Sequence, residues 1–159
     1  MTEREAAYDE TFRRCFPRAF NLATRLVGDR AVGEEIAAEA LARTFFQWHR
    51  VRDLPYLDAW IMRVTVNLAI GVQRRSRRPI LESLPHAEPD SDSLVVMRAA
   101  LRHLSRRQQV AVVLREGVGM TTAEVALVMG VSENTAGTHV RRGLMALRQE
   151  LGVGASWTI

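Results

Sequence analysis

The sequence predicts an all-α chain: two small helical domains joined by a flexible acidic linker, the second a four-helix domain with a helix-turn-helix. Three observations predict it. Apolar residues recur at three- and four-residue spacings, and no alternating runs bounded by hairpin signals appear. Residues 79–93, PILESLPHAEPDSDS, hold three of the five prolines, three serines and no helical periodicity, which is the composition of a linker. In VALVMGVSENTAGTHVRRGL, residues 125–144, an apolar run stops at Gly130 and a second helical pattern starts behind Ser132, as in two helices joined by a tight turn.

The first domain, residues 1–78, opens with a helix over about 5–16. Pro17 interrupts it, and helix resumes to about Val27, closed by Gly28-Asp29. A second helix runs over about 31–48 with a wide apolar side: Ile36, Ala37, Ala40, Leu41, Thr44, Phe45 and Trp48. Its other side carries Glu35, Ala38, Glu39, Ala42, Arg43 and Phe46. Small residues beside an outward phenylalanine suit a protein-docking surface better than a solvated face; packing of Phe46 beneath a loop is the alternative. The segment HRVRDLP, 49–55, reads as a loop. A third helix follows from Pro55 or Leu57 to Arg78, burying Leu57, Trp60, Ile61, Val64 and Leu68, with Arg63, Asn67 and Arg74 on an adjacent stripe. Its end, RRSRR at 74–78, can neutralise several phosphates, although helix-dipole and solvation effects also favour arginine there. The nearby aromatics Phe46, Trp48 and Tyr56 can receive unstacked bases.

The second domain, residues 94–152, follows the linker 79–93 and precedes a tail, 153–159, expected to be disordered. Its helices span about 93–103, from a Ser105 cap to Glu116, from a Thr121 or Thr122 cap to Met129, and from a Ser132 cap to Leu151. Gly-Val-Gly at 117–119 separates the middle pair. In the last helix Ala136, Val140, Leu144 and Leu147 make one buried stripe, leaving Glu133, Asn134, Gly137, Thr138, Arg141 and Arg142 outward. Arginine can bind guanine bidentately, asparagine can read adenine, and a capped helix start attracts phosphate. An ordinary helical hairpin with a solvated face is the alternative.

Charge follows the same division. All 22 basic side chains are arginine; residues 1–78 carry 14 of them against 10 acids, residues 79–93 carry four acids and no base, and residues 94–159 carry 8 arginines against 4 acids. Two basic blocks flanking an acidic connector suggest a polyanionic partner. The single cysteine, Cys15, excludes an internal disulfide and sits among apolar helical positions as a small core residue. His49, His86, His103 and His139 have no metal-ligand spacing, and no phosphate loop or nucleophile elbow occurs. The expectation is a non-enzymatic protein without cofactor, metal or small-molecule substrate. No apolar run is long enough to span a bilayer, and the acidic start MTEREAAYDE does not resemble a signal peptide, so a cytoplasmic protein without membrane insertion is expected.

Three segments in order resemble the extracytoplasmic-function (ECF) sigma factors of bacterial RNA polymerase. AVGEEIAAEALARTFFQW resembles the family's polymerase-docking helix, AWIMRVTVNLAIGVQRRSRR its minus-ten helix, and ALRHLSRRQQVAVVLREGVGMTTAEVALVMGVSENTAGTHVRRGLMALR its minus-thirty-five domain. The resemblance implies a factor that binds core RNA polymerase, through the largest subunit's clamp helices and the second-largest subunit, and directs initiation at promoter DNA. It implies docking by Glu35, Ala38, Glu39, Ala42, Arg43 and Phe46. It places the minus-ten strand, with a base flipped near Asn67, on His49, Arg50, Arg52, Tyr56, Arg63, Asn67, Arg74, Arg75, Arg77 and Arg78. It places the minus-thirty-five duplex on Ser132, Asn134, Thr135, Gly137, Thr138, His139, Arg141 and Arg142. An anti-sigma factor is an implied partner. The chain departs from the family's usual Gln at Ala38, Asp at Gly71 and Lys or Arg at Gly137, each change removing a polar or charged group. A degenerate sigma-like protein that titrates polymerase or needs a helper, and an autonomous helix-turn-helix regulator, are the competing readings.

Overall fold

The computed structural model describes residues 1–75 and 91–152. Arg77, Arg78, most of the expected linker and the 153–159 tail lie outside them. The described residues form helices throughout, in two compact units divided between Ser76 and Arg77. The expected all-α class therefore holds.

In the first unit, helix α1 (Glu3–Val27) is continuous, where the sequence suggested a break at Pro17. Its start is closed by a Thr2–Glu5 capping box and its end by Gly28 at φ 75°. Pro17 removes a hydrogen bond to the Arg13 carbonyl, but both residues are exposed, so water can satisfy that carbonyl. Asp29 then caps α2 (Arg30–Phe46), its Oδ1 accepting from the Val32 amide at 3.0 Å. The two-residue connection makes α1 and α2 packed neighbours, and α4 (Leu57–Arg75) packs on both. α1 and α2 approach closely at Gly33, where an added Cβ would lie 2.8 Å from the Thr24 Cα.

Two differences from the sequence reading bear on the first unit. α2 ends at Phe46, and Trp48–Val51 forms a separate short helix, α3, so His49 and Arg50 stand on a helical turn rather than in a loop. The core face of α4 is also rotated. Ala59, Ile61, Met62, Thr65, Val66 and Ala69 are buried, while Leu57, Trp60, Val64 and Leu68 are half-exposed. Because α4 touches two helices at once, its buried side mixes the small Ala59, Thr65 and Ala69 with Ile61, Met62 and Val66, and Thr65 satisfies its hydroxyl by donating to the Ile61 carbonyl at 2.9 Å. Gln73 Nε2 donates to the Leu26 carbonyl and ties the ends of α4 and α1 together.

The second unit begins at α5 (Ser91–Arg102), so the last three residues of the expected linker are helical. α6 (Arg106–Val112) starts with a Ser105–Gln108 capping box and widens into a π-helical turn over Val113–Gly117, where the sequence suggested uninterrupted α-helix. The wide turn is closed by the Val118 amide donating to the Val113 carbonyl at 3.0 Å. Five consecutive apolar residues, Val110 to Leu114, are buried across the end of α6 and the start of this turn. Thr121 and Glu124 box the start of α7 (Thr122–Met129), and Ser132 caps α8 (Glu133–Leu151). α8 packs on α5, α6 and α7. Its fully buried positions are Ala136, Gly143 and Leu147; Val140 and Leu144, expected inside, are half-buried. Gly143 replaces a side chain there because a Cβ would lie 2.5 Å from Val112 Cγ2 and 3.3 Å from the Gln108 carbonyl oxygen.

Candidate nucleic-acid and partner-docking faces

The outer side of α2 presents Glu35, Ala38, Glu39 and Arg43 exposed, Ala42 half-buried, and Phe46 at 78% exposure. Arg43 Nε donates to Glu39 Oε1 at 2.7 Å, a surface pair one turn apart worth about 0.3–0.5 kcal/mol. Two α1 residues absent from the sequence argument hold this last turn. The Tyr8 hydroxyl donates to the Leu41 carbonyl at 2.7 Å, and Arg4 donates to the Phe45 carbonyl while its guanidinium lies 5.2 Å from the Phe45 ring centre. Tyr8 also packs edge-on against Phe45 and Trp48. Phe45 is thus fixed inward and Phe46 left in solvent, which resolves the alternative of Phe46 beneath a loop.

The segment between α3 and α4 is held at both ends. Trp48 and Val51 are buried on its upstream side. Trp48 Nε1 meets no acceptor among the described residues, so ring packing holds it. On the downstream side Asp58, in the first turn of α4, accepts from Arg14 Nε and Nη2 at 3.1 and 2.9 Å and lies 3.5 Å from Arg18 Nη1. Between these anchors Arg52, Asp53, Pro55 and Tyr56 are exposed. The Arg14 hydrogen bonds outweigh partial burial and hold the Asp58 carboxyl below the ordinary carboxylate range. The ion pair therefore persists above that range and is lost only as pH falls through the lowered value. Burial, reinforced by the Asp58 charge, pushes the neighbouring Cys15 thiol up to about 12, so it stays protonated as a core residue.

Along α4, Arg63 and Asn67 are exposed one turn apart, and Arg74 continues their row. No acidic side chain pairs with Arg63, Arg74 or Arg75 among the described residues. His49 and Arg50 are exposed on α3. Arg77 and Arg78 lie outside the described residues.

In the second unit the turn between α7 and α8 uses Gly130 at φ 67°, and the Val131 amide donates to the Ala126 carbonyl at 3.1 Å. Ser132 Oγ accepts from the Thr135 amide at 3.1 Å and donates to Thr135 Oγ1 at 2.8 Å. Thr138 Oγ1 donates to the Asn134 carbonyl at 3.0 Å. Both threonine hydroxyls thus have partners within the helix. Of this surface Ser132, Glu133, Asn134, Arg141 and Arg142 are exposed; Thr135, Thr138 and His139 are half-buried. Gly137 does not stand outward as the sequence suggested. Its added Cβ would meet Thr122 Cγ2 at 3.7 Å, an ordinary contact at the start of α7. Gly137→Ala is accordingly expected to stabilise the second unit by about 0.5–1 kcal/mol through reduced backbone freedom, read as a higher denaturation midpoint.

The comparisons address the family directly. Residues 94–147 match the family model described as Sigma-70, region 4. The RNA polymerase sigma-E factor of Streptomyces coelicolor is 32% identical over 137 residues, covering 81% of this chain and 77% of that protein. The chain belongs to the RNA polymerase sigma factors. It is also similar to the ECF RNA polymerase sigma factor SigE of Mycolicibacterium smegmatis, 27% identical over 166 residues, covering 96% of this chain and 64% of that protein. The fold of this sigma factor is also that of the sigma factor RpoE solved with the anti-sigma factor NepR from Bartonella quintana, at TM-score 0.76 and 20% identity over 93% of this chain and 98% of that one. It matches CnrH, solved with the cytosolic domain of CnrY, at TM-score 0.77 and 17% identity, covering 95% and 91%. No described helix of this sigma factor is long and apolar enough to cross a membrane.

Proposed function

We propose that this sigma factor binds core RNA polymerase in the cytoplasm and divides promoter recognition between its two units, without catalytic chemistry of its own. The outer face of α2, with Glu35, Ala38, Glu39, Ala42, Arg43 and Phe46, docks on polymerase. The 52–56 loop with Arg63 and Asn67 holds the minus-ten non-template strand, and the arginines at the end of α4 meet its phosphates. Asn134, Arg141 and Arg142 read the minus-thirty-five duplex, with the Thr138 methyl beside them and the Ser132-capped start of α8 at the backbone. The likeness in fold to a sigma factor solved with an anti-sigma factor supports an anti-sigma factor as a further partner.

The observation that carries the reading is Phe46. An aromatic side chain 78% exposed on a helix whose last turn is anchored from behind adds little to folding and suits a buried anchor in an interface. Phe46→Ala is expected to weaken binding to core polymerase by about tenfold or more while leaving the denaturation midpoint nearly unchanged. Titration of labelled protein with core polymerase measures it; an unchanged affinity would move the docking face elsewhere. A regulator acting through the helix-turn-helix alone has no use for this face.

A further inference from the structure

We propose that the Arg14–Asp58–Arg18 clasp is a positioning device for the strand-holding loop at residues 52–56, setting the geometry in which Tyr56 and the start of α4 meet the unpaired bases. The inference rests on the reading of that loop as the minus-ten strand site. The five loop residues sit between two anchors of different kinds. Upstream, Trp48 and Val51 are buried in the first unit's core. Downstream, the first turn of α4 has no comparable bulk inside: Leu57 is half-exposed and only Ala59 is buried. Asp58 supplies the missing attachment by crossing to Arg14 and Arg18 on α1, 44 residues away for Arg14 and bonded through two nitrogens.

Tyr56 stands two residues before Asp58, and its carbonyl accepts from the Trp60 amide at 2.9 Å, so it is built onto the same turn. Any freedom at Asp58 passes directly to Tyr56, which is 46% exposed. An acid in the first turn of a helix is favourable there by itself, but that preference calls for no partner on another helix. A negative charge beside a nucleic-acid path repels phosphate, so a role confined to long-range charge would favour its removal. A fork of two hydrogen bonds from one guanidinium fixes direction as well as distance. A loop fixed before binding spends less ordering entropy when the strand arrives.

The test uses holoenzyme reconstituted with the full chain. The probe is a single-stranded oligonucleotide carrying the non-template minus-ten region of a promoter mapped with that holoenzyme. Asp58→Asn and Arg14→Gln are measured singly and together, with Asp58→Glu as the conservative variant. Positioning predicts that both single changes weaken strand binding by about three- to tenfold. It also predicts that the double change is no worse than the worse single, that Asp58→Glu restores most of the affinity, and that polymerase affinity is unaffected. Charge alone predicts opposite signs, Asp58→Asn tightening and Arg14→Gln weakening, and that result overturns the proposal. Unchanged strand binding overturns it too. A parallel loss of polymerase affinity reduces the clasp to general support of the fold. If the unaltered holoenzyme fails to hold the strand, the reading of the loop itself is wrong and the clasp has nothing to position.

Discussion

Gly33→Ala is expected to destabilise the first unit by about 2–3 kcal/mol, the cost of overpacking a close helix crossing. The added Cβ meets the Thr24 main chain, with both Cα and N at 2.8 Å. No rotamer change relieves a backbone contact, so α1 and α2 must part. Alanine's better helix propensity offsets only about 1 kcal/mol of this. Trp48 and Trp60 lie in the first unit and Trp157 in the second, so tryptophan fluorescence during denaturation, followed in a Trp157→Phe background, reports the first unit. A lowered midpoint is expected, with weaker polymerase binding because the proposed docking face belongs to the same helix. An unchanged midpoint would mean that the helices do not cross this closely.

Gly143→Ala is expected to cost the second unit about 1–3 kcal/mol for the same reason. Here the obstacle is Val112 Cγ2, 2.5 Å from the new methyl, in a residue that is fully buried and stiff at χ1. The substitution should lower the unfolding midpoint followed by circular dichroism and, on the proposed function, weaken binding to upstream duplex DNA, because α8 is both core and proposed reading head. Gly137→Ala supplies an internal control. It is the same change on the same helix, six positions earlier, and its expected effect has the opposite sign. Equal effects from the two glycines would contradict the assigned rotation of α8.

The two glycines also show where sequence reasoning stops. Periodicity locates the long helices, and Ser105, Thr121 and Ser132 are legible as caps because each acts within three residues of itself; Thr2, which caps α1, is not singled out that way. Periodicity places Ile61, Ala136 and Leu147 inside correctly but not the rest of the α4 and α8 core faces, because it reads bulk as the mark of the interior. Where helices nearly touch, small residues share the interior with large ones, and Ala59, Thr65, Ala69 and Gly143 carry no hydrophobic signal strong enough to say so. The Pro17 break failed for a related reason: a proline's cost depends on whether the freed carbonyl faces water, which requires knowing the packed side.

Among the candidate site residues, Phe46, Arg63, Asn67, Asn134, Arg141 and Arg142 could be singled out because their helix positions oppose an apolar stripe. The residues that hold them were not legible. Tyr8 reaches the Leu41 carbonyl across 33 positions and Arg14 reaches Asp58 across 44, and no local spacing encodes such pairs. An acid in the first turn of α4 is itself an ordinary helix-start preference, so Asp58 gave no separate signal.

The central claim is that this chain confers promoter choice on core polymerase, and transcription tests it most directly. Purified core RNA polymerase would be incubated with fragmented DNA from the source genome, with and without the protein, and the transcript starts mapped. The account predicts defined new starts that appear only with the protein and share two upstream motifs, one for each unit. The same starts in both reactions, from a protein that is folded and bound to polymerase, would contradict it.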